Sequence, residues 1–460
     1  AAAKGGFLCV PLMFRLAAPE MEYIINHCEA KAFIVQSGKD PEDGKEFPWI
    51  EQVNGMKKSL KTVEHYINFA VDSPSYDGFI NYEQMLAKAS PAEPDVEVTP
   101  DDIWVILYTG GTTGLPKGVM KSHANLFSQY FIMIYDHEFN FDDTILLVMP
   151  CCHVNSLFYS FVVTWVGGTV MCYNMVSFNP ESLIKCFSDH GITFTSLVPT
   201  HYIMMLALPD EVKAKYNLNA IKKLLCSSAP ARRDTKQGIL AMFPNSRLFE
   251  AYGSTEAGCV TILKPEEQMK KLGSIGREAI GTDILEIYDE DGKLITEPNK
   301  IGEIYSRSPM IFESYWKDPE KTKNAMKGQY FSAGDMGYRD EEGYYYLVDR
   351  KANMIISGGE NVFPSEVENC VGSHPDVKDV AVIGIPHEKW GEQVTAVVVL
   401  HEGKKMEPKE VTEWCKGKIA GFKVPKNIYI IPDEEMPRSG AGKILHRILR
   451  ERYGKWGDQQ

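Results

Sequence analysis

The stretch Tyr108-Thr109-Gly110-Gly111-Thr112-Thr113-Gly114-Leu115-Pro116-Lys117-Gly118 directly follows an apolar run at 103–108 that predicts a β-strand. Glycines let backbone N–H groups approach an anion closely, and threonine hydroxyls add further donors. The loop is therefore chemically suited to bind phosphate groups. It is not a Walker A loop, because no Gly-Lys-Ser/Thr triplet follows at the required spacing. An ordinary Gly/Thr-rich turn is the other interpretation.

Outward from this loop, three different patterns of predicted secondary structure follow one another along the chain. Between about residues 100 and 260, apolar strand-like runs alternate with helical patterns, which favours a parallel sheet covered by helices. Residues 281–349 contain short aromatic-rich strands with Asp-Gly and Glu-Gly turns, which predict a small antiparallel barrel. The remainder predicts a compact α+β domain, with a capping box formed by Ser365 and Glu368. The predicted fold class is α/β with this small second domain.

Composition excludes several classes of protein. The chain has 460 residues, 44% of them apolar and 24% charged, which argues against disorder and coiled coil. Its net charge is −13 without a Lys/Arg block, so we expect no nucleic-acid partner. No apolar run is long enough for a transmembrane segment. The absence of C-x-x-C and H-x-x-x-H spacings argues against a protein-held transition metal, and we expect a cytoplasmic protein.

The start of the chain is unusual. Residue 1 is alanine, and residues 4–36 already read as strand, proline turn, helix and strand. This pattern is typical of the middle of a domain. We therefore expect either that an N-terminal segment has been lost or that the sequence is a fragment.

A second candidate motif is Glu250-Ala251-Tyr252-Gly253-Ser254-Thr255-Glu256, at the end of a strand-like run. An aromatic ring can stack on a purine, a hydroxyl can donate to a phosphate oxygen, and a carboxylate can bind Mg²⁺ beside a triphosphate. Taken alone, the motif reads equally as a polar loop that closes a strand.

Three more motifs follow in the second half of the chain. Tyr330-Phe331-Ser332-Ala333-Gly334-Asp335 ends in a carboxylate that can accept two hydrogen bonds from a ribose diol, and residues 349–361 place Arg350 where the texture changes. Pro437-Arg438-Ser439-Gly440-Ala441-Gly442-Lys443-Ile444 puts a lysine on a glycine-flanked loop. A turn aspartate, an interdomain ion pair and a solvated basic loop are the corresponding structural interpretations.

Together, the five motifs in this order resemble the signature series of the adenylate-forming superfamily. That superfamily contains acyl-CoA synthetases, adenylation domains of peptide synthetases and beetle luciferases. The resemblance covers residues 11–450. The Gly-Gly-Glu-Asn sequence at 358–361 and the Gly-Lys pair at 442–443 are most similar to those of AMP-forming acyl-CoA synthetases. It implies a large adenylation domain at 1–349, with the barrel-like subdomain at 280–349, a hinge at 350–352, and a small mobile domain at 353–460. Members usually carry more large-domain chain before the point where this sequence begins.

The resemblance also implies a two-step reaction. A carboxylic acid attacks the α-phosphate of ATP, which gives an acyl-adenylate and pyrophosphate, and the thiol of coenzyme A then displaces AMP. Mg²⁺ would accompany ATP. Lys443 would bridge the attacking carboxylate and the α-phosphate, and it would be withdrawn when the small domain rotates after adenylation. The hinge residue is Ala352, where relatives commonly have Lys or Asp, which puts the balance between the two conformations in question.

By motif match, residues throughout the chain would contact the nucleotide. The phosphates would be bound by Thr109, Gly110, Gly111, Thr112, Thr113 and Gly114, with Lys117 nearby and Thr255 on the α-phosphate. The adenine would stack on Tyr252 and be lined by Ser228, Ala229 and Pro230, within a nucleotide set that includes Glu250, Ala251 and Gly253. Asp335 would bind the ribose, Arg350 would assist, and Glu256 would bind Mg²⁺.

Acyl and CoA contacts follow from the same resemblance. His153 matches the family's gate beside the acyl carboxylate, although a structural histidine is the alternative interpretation. The acyl pocket would be built by His153, Val198, Pro199, Thr200, Ser227, Ala229 and Gly253, and Gly358 and Gly359 would line the CoA tunnel. Because this pocket set contains no lysine or arginine, it favours a monocarboxylate with an apolar body: a medium-chain, alicyclic or aromatic acid.

The sequence alone leaves alternatives to a CoA ligase open. The chain could serve as a stand-alone adenylation enzyme for a carrier protein, or as a catalytically silent sensor of ATP and acyl-AMP. Intact Lys443 and Glu256 argue against the sensor. A luciferase-like oxygenase is disfavoured because the C-terminus lacks a Ser-Lys-Leu ending. A homodimer is one open option for the assembly.

Overall fold

The computed structural model describes residues 1–14, 16–39, 44, 46–69, 74–109, 115–173, 178–227, 231–357, 360–387, 390–438 and 444–454. Within these residues, helices and strands alternate through the first half of the chain, and strands predominate after residue 245. No helix in this part of the chain has the length and apolar character needed to cross a lipid bilayer.

The helices are short to medium in length. They are α1 (Ala18–His27), α2 (Trp49–Met56), α3 (Tyr82–Lys88), α4 (His123–His137), α5 (Val154–Trp165), α6 (Pro180–His190), α7 (Pro199–Leu206), α8 (Asp210–Lys213), α9 (Arg233–Met242), α10 (Pro319–Ala325), α11 (Pro364–Gly372), α12 (Pro408–Cys415) and α13 (His446–Tyr453).

The first twelve strands are β1 (Ala32–Gln36), β2 (His65–Phe69), β3 (Ile80–Asn81), β4 (Ile103–Thr109), β5 (Lys117–Ser122), β6 (Thr144–Leu147), β7 (Thr169–Cys172), β8 (Phe194–Leu197), β9 (Lys223–Ser227), β10 (Arg247–Ser254), β11 (Gly258–Leu263) and β12 (Ser274–Glu278). The strands that follow are β13 (Glu286–Tyr288), β14 (Gly302–Tyr305), β15 (Ser314–Tyr315), β16 (Met326–Lys327), β17 (Tyr330–Phe331), β18 (Asp335–Arg339), β19 (Tyr345–Arg350), β20 (Ile355–Ser357), β21 (Glu360–Val362), β22 (Val377–His387), β23 (Gly391–Leu400) and β24 (Asn427–Ile430).

The largest sheet has eleven strands in the order β13-β14-β18-β19-β12-β11-β10-β9-β8-β6-β7. Strands β10, β9, β8, β6 and β7 pair in parallel. Leu224 and Leu248 belong to one hydrophobic core, whereas their chain neighbours Leu225 and Phe249 belong to the other. Because side chains alternate across a strand, both faces of this sheet are buried under helices. The predicted α/β fold class is confirmed.

The strand next to the Gly/Thr loop is placed differently from the sequence prediction. β4 pairs antiparallel with one edge of β5, and β15 pairs antiparallel with the other edge of β5. The three strands form a separate sheet. The connection from Thr109 to Lys117 is too short for a parallel crossover, so it returns the chain directly beside β4. Thr109 and Lys117, which flank the loop, therefore belong to an antiparallel pair and not to the parallel sheet.

The short antiparallel strands predicted for residues 280–349 lie at one end of the eleven-stranded sheet. β12 makes the join, since it pairs with β11 on one side and with β19 on the other. Gly276 has a left-handed φ of +92°, and a Cβ atom there would lie 2.0 Å from the carbonyl oxygen of Ile262. Only glycine therefore permits the close approach of the two strands.

The C-terminal strands form their own five-stranded sheet, β21-β20-β23-β22 with β24 paired to β23. Two hydrophobic cores draw all of their residues from the chain after residue 354. The predicted capping box is wrong: α11 begins at Pro364 after the N-cap Phe363, so Ser365 lies inside the first turn. Proline has the φ angle required at the first helical position, and Glu368 accepts instead from the N–H of Val382 at 2.8 Å. The domain boundaries themselves remain predictions.

The join at β12 gives a stability test. We expect Gly276→Ala to destabilise the fold by the ~1–2 kcal/mol of a left-handed alanine plus about 1–3 kcal/mol for the overlap with Ile262. Gly273→Ala is the matched control, because Gly273 has φ +81° with no atom within 4 Å of the added Cβ. Denaturant unfolding followed by tryptophan fluorescence measures both; equal losses would contradict the overlap.

Candidate active site

The parallel strands bring the predicted acyl-pocket residues to one edge of the large sheet. His153 follows β6, residues 198–200 follow β8, Ser227 ends β9, and Gly253 lies near the end of β10. Parallel strands end at the same edge, and open α/β sheets bind ligands there. Ser227 pairs with Ala251 of the neighbouring strand, so the first half of the Glu250–Glu256 motif lies directly beside it.

The loop after β6 is attached to the end of β9 through a residue that the sequence analysis missed. His153 is the N-cap of α5, and its Nδ1 atom accepts from the N–H of Asn155 at 3.3 Å. The buried side chain of Asn155 then donates through Nδ2 to the hydroxyl of Ser227 at 2.6 Å. This bond ties the loop that carries the predicted gate to the end of β9.

A β-bulge at Tyr252 and Gly253 turns the end of β10 back into β11. A Cβ atom on Gly253 would lie 2.0 Å from the carbonyl oxygen of Gly258, so the return of the chain requires glycine at this point. Thr255 and Glu256 lie in the turn that follows. Thr255 and Glu256 therefore lie close along the chain to the strand edge that holds the acyl-pocket residues.

Tyr252, Asp335 and Arg350 form a hydrogen-bonded group. The Tyr252 hydroxyl donates to Asp335 Oδ2 at 2.7 Å, and Arg350 Nε donates to Oδ1 at 3.1 Å. Asp335 and Arg350 face each other across β18 and β19. Burial and the nearby Asp335 carboxylate raise the pKa of Tyr252 well above its ordinary value, so the phenol keeps its proton. Two residues predicted to bind adenine and ribose are thus in direct contact.

Glu250 points away from this group into the core. Its Oε2 atom lies 2.5 Å from Lys236 Nζ on α9, and Oε1 accepts from the N–H of Ala231 at 3.2 Å. Burial raises the pKa of Glu250, although Lys236 acts in the opposite direction. The pair fixes α9 against β10. The predicted nucleotide contact of Glu250 remains a prediction.

The Gly/Thr loop and Glu256 are linked by a tyrosine. Thr109 and Lys117 face each other at the ends of β4 and β5, and so mark the two ends of the loop. Lys117 Nζ lies 3.3 Å from the hydroxyl oxygen of Tyr315, and that hydroxyl donates to Glu256 Oε1 at 2.8 Å. Burial and the Glu256 carboxylate raise the pKa of Tyr315 well above its ordinary value.

A fully buried lysine holds the backbone of Glu256. Lys121 on β5 donates to the carbonyl oxygen of Glu256 at 2.8 Å and to the carbonyl oxygen of Met310. Burial lowers the pKa of Lys121 to about 7, against the opposing effect of the Glu256 and Glu313 carboxylates. The Glu256 carbonyl also accepts from the N–H of Phe312 at 2.8 Å. Both ends of Glu256 are therefore held by neighbouring strands.

Several predicted site residues lie outside the described part of the chain. They are Gly110, Gly111, Thr112, Thr113, Gly114, Ser228, Ala229, Pro230, Gly358, Gly359 and Lys443. Ala352 lies in a 3₁₀ turn, Lys351–Asn353, in which its side chain is not described. The roles of all these residues remain predictions.

Comparison with known proteins identifies the family. The profile of the AMP-binding enzyme family matches residues 1–316, and that of the AMP-binding enzyme C-terminal domain matches residues 366–443. The chain is 33% identical to the indoleacetate–CoA ligase of Aromatoleum aromaticum over 458 residues, which is 98% of this chain and 84% of that protein. It is 32% identical to the long-chain-fatty-acid–CoA ligase FadD13 of Mycobacterium tuberculosis over 455 residues, again 98% and 84%.

A solved structure supports the same family assignment. ATP-bound MatB from Rhodopseudomonas palustris superimposes with a TM-score of 0.84 at 30% identity, covering 99% of this chain and 85% of that one. The chain therefore belongs to the AMP-binding enzyme family, as an adenylate-forming acyl-CoA synthetase. It is an acid–thiol ligase that activates a small-molecule acid and transfers it to coenzyme A, with ATP and CoA as its substrates. The predicted family and enzyme class are confirmed.

The buried pair of Lys236 and Glu250 gives a second stability test. Lys236→Met leaves the Glu250 charge uncompensated in the core, and we expect a loss of about 3–5 kcal/mol in the free energy of unfolding. The double variant Lys236→Met/Glu250→Leu removes both charges and should lie much closer to the wild type. Denaturant unfolding measures each variant. A double variant as unstable as the single one would contradict the account of the pair.

Proposed function

We propose that the acid is a monocarboxylate with an apolar body: a medium-chain, alicyclic or aromatic acid. The observation that carries this is the set of side chains at the shared strand edge, His153, Val198, Pro199, Thr200, Ser227 and Gly253, none of which is a lysine or arginine. A second carboxylate would enter this edge without a cationic partner, and an unpaired buried charge is costly. Indoleacetate, an aromatic monocarboxylate named for one relative, fits the same description.

In the first step, a carboxylate oxygen attacks the α-phosphorus of ATP, a new O–P bond forms, and the bond to the β-phosphate oxygen breaks to release pyrophosphate. We assign the adenine to Tyr252 with residues 228–230, and the ribose to Asp335 with Arg350. The contact between Tyr252 and Asp335 supports this, because it fixes the ring and the carboxylate relative to each other. Thr109 and residues 110–114 would bind the outer phosphates, and Thr255 the α-phosphate.

Negative charge grows on the phosphate oxygens during this step, so fixed positive charge lowers the barrier. Lys443 is proposed to supply it between the carboxylate and the α-phosphate. In the second step, the sulfur of CoA attacks the acyl carbonyl, loses its proton and displaces AMP. Gly358 and Gly359 would line the path of the thiol arm, and residues 350–352 would be the hinge that exchanges the two steps.

Glu256 is the proposed ligand for Mg²⁺. Carboxylate oxygens suit this hard cation, and Mg²⁺ in nucleotide sites is commonly bound by one or two carboxylates plus phosphates. Tyr315 occupies Oε1, while Oε2 makes no hydrogen bond to the part of the chain that the structure describes. The residues present therefore fit the ion. Mg²⁺ would neutralise charge on the outer phosphates. A cytoplasmic location and a homodimer remain predictions.

Pyrophosphate release tests the proposal. With ATP and Mg²⁺, each of a panel of short, medium, branched, alicyclic and aromatic acids is assayed with and without CoA. We expect release that CoA stimulates and that concentrates on medium-chain, alicyclic or aromatic monocarboxylates. Matched pairs such as octanoate and octanedioate isolate the effect of the second carboxylate. Preference for the dicarboxylate of each pair would contradict the substrate class.

Two controls complete this experiment. Lys443→Ala should lower the rate of pyrophosphate release by about 10²-fold or more, as expected for loss of a group that stabilises developing charge. Full activity of a folded Lys443→Ala variant would contradict the role of that lysine. Release that CoA leaves unchanged would favour transfer to a carrier protein.

A further inference from the structure

The side chain of Tyr315 holds the proposed metal ligand, Glu256. Glu256 Oε1 accepts a 2.8 Å hydrogen bond from the Tyr315 hydroxyl, and both residues are more than nine-tenths buried. Tyr315 lies 59 residues further along the chain, on β15. The bond therefore depends on tertiary structure and not on the local turn.

Tyr315 is itself fixed on three sides. Its backbone pairs with Val119 of β5, its N–H donates to the hydroxyl of Thr322 at 2.9 Å, and its ring packs at 4.7 Å from that of Phe312. Because the phenol cannot move far, the carboxylate that accepts from it is fixed as well. A ligating carboxylate is commonly oriented by such an outer hydrogen bond.

Lys117 adds charge to this arrangement. Its Nζ atom lies 3.3 Å from the Tyr315 oxygen and 4.4 Å from the ring centroid. A donor that itself accepts a hydrogen bond from a cation becomes a stronger donor. The Tyr315 phenol thus connects Lys117, at the end of the Gly/Thr loop, to the Glu256 carboxylate. Lys121 and Phe312 hold the backbone carbonyl of the same glutamate.

We propose that Tyr315 is a positioning residue for the divalent cation of the nucleotide: it engages Glu256 Oε1 and so presents Oε2 as a single-oxygen ligand. The proposal rests on the proposed function, because it takes Glu256 as the metal-binding carboxylate. Tyr315 acts through Glu256 and does not bind the ion. Loss of the hydroxyl lets the carboxylate rotate, which weakens the metal without removing its ligand.

The test compares Tyr315→Phe with the wild type in the binding of Mn²⁺ in the presence of α,β-methylene-ATP, which cannot release pyrophosphate. Electron paramagnetic resonance of free Mn²⁺ gives the dissociation constant without turnover. We expect Tyr315→Phe to raise it about 10–100-fold, the usual effect of losing a residue that orients a metal ligand. Affinity for the analogue in EDTA should be unchanged, since the phenol acts on the ion.

Tyr345→Phe is the matched control. The Tyr345 hydroxyl donates to Glu278 at 2.8 Å, so this variant loses an equivalent tyrosine–glutamate bond away from Glu256, and it should bind Mn²⁺ as the wild type does. Glu256→Gln is the reference for loss of the ligand itself, with a larger effect than Tyr315→Phe.

Three outcomes would count against the assignment, and they are distinguishable. Wild-type affinity for Mn²⁺ in Tyr315→Phe would overturn the positioning role, as would an equal loss of affinity for the analogue in EDTA, which indicates a general structural defect. Wild-type affinity in Glu256→Gln would overturn the proposed metal ligand itself.

Discussion

Strand β10 pairs in parallel with β9 and antiparallel with β11, and the candidate site lies at the strand edge where this change of direction occurs. On the parallel side, strands β9, β8 and β6 must end at the same edge, which delivers Ser227, the segment after β8 and the His153 loop to one place. On the antiparallel side, the chain must reverse within a few residues, which Gly253 permits. The turn then carries Thr255 and Glu256 over that edge.

Charge inside this framework is arranged in hydrogen-bonded groups. Asp335 is engaged by Tyr252 and Arg350, Glu250 by Lys236, and Glu256 by Tyr315. Burying an ionised group without such partners is costly, so each bond offsets the cost of burial and also fixes a carboxylate. Lys121 extends the principle to the backbone, because its ammonium group binds the carbonyl oxygen of the residue that the proposed function assigns to Mg²⁺. These hydrogen bonds fix the three carboxylates in the part of the candidate site that the structure describes.

Local patterns in the sequence predicted most of the elements and the family, because alternation of apolar runs and motif order are properties of neighbouring residues. Two local predictions failed for local reasons: Pro364 starts α11 ahead of Ser365, and the short link after β4 forces an antiparallel hairpin. Tyr315 and Asn155 escaped notice because their partners are distant, with Lys117 and Tyr315 separated by 198 positions. Lys121 carried no signal either, since a strand lysine ordinarily reads as solvent-exposed.

In the proposed reaction, a carboxylate oxygen of the acid becomes bonded to the α-phosphorus of ATP. The most direct measurement is the fate of ¹⁸O from a doubly labelled carboxylate, followed by mass spectrometry of the products after turnover with ATP and CoA. The account predicts AMP that carries one ¹⁸O atom, with unlabelled pyrophosphate. Label in inorganic phosphate together with ADP would show attack on the γ-phosphate and would contradict it.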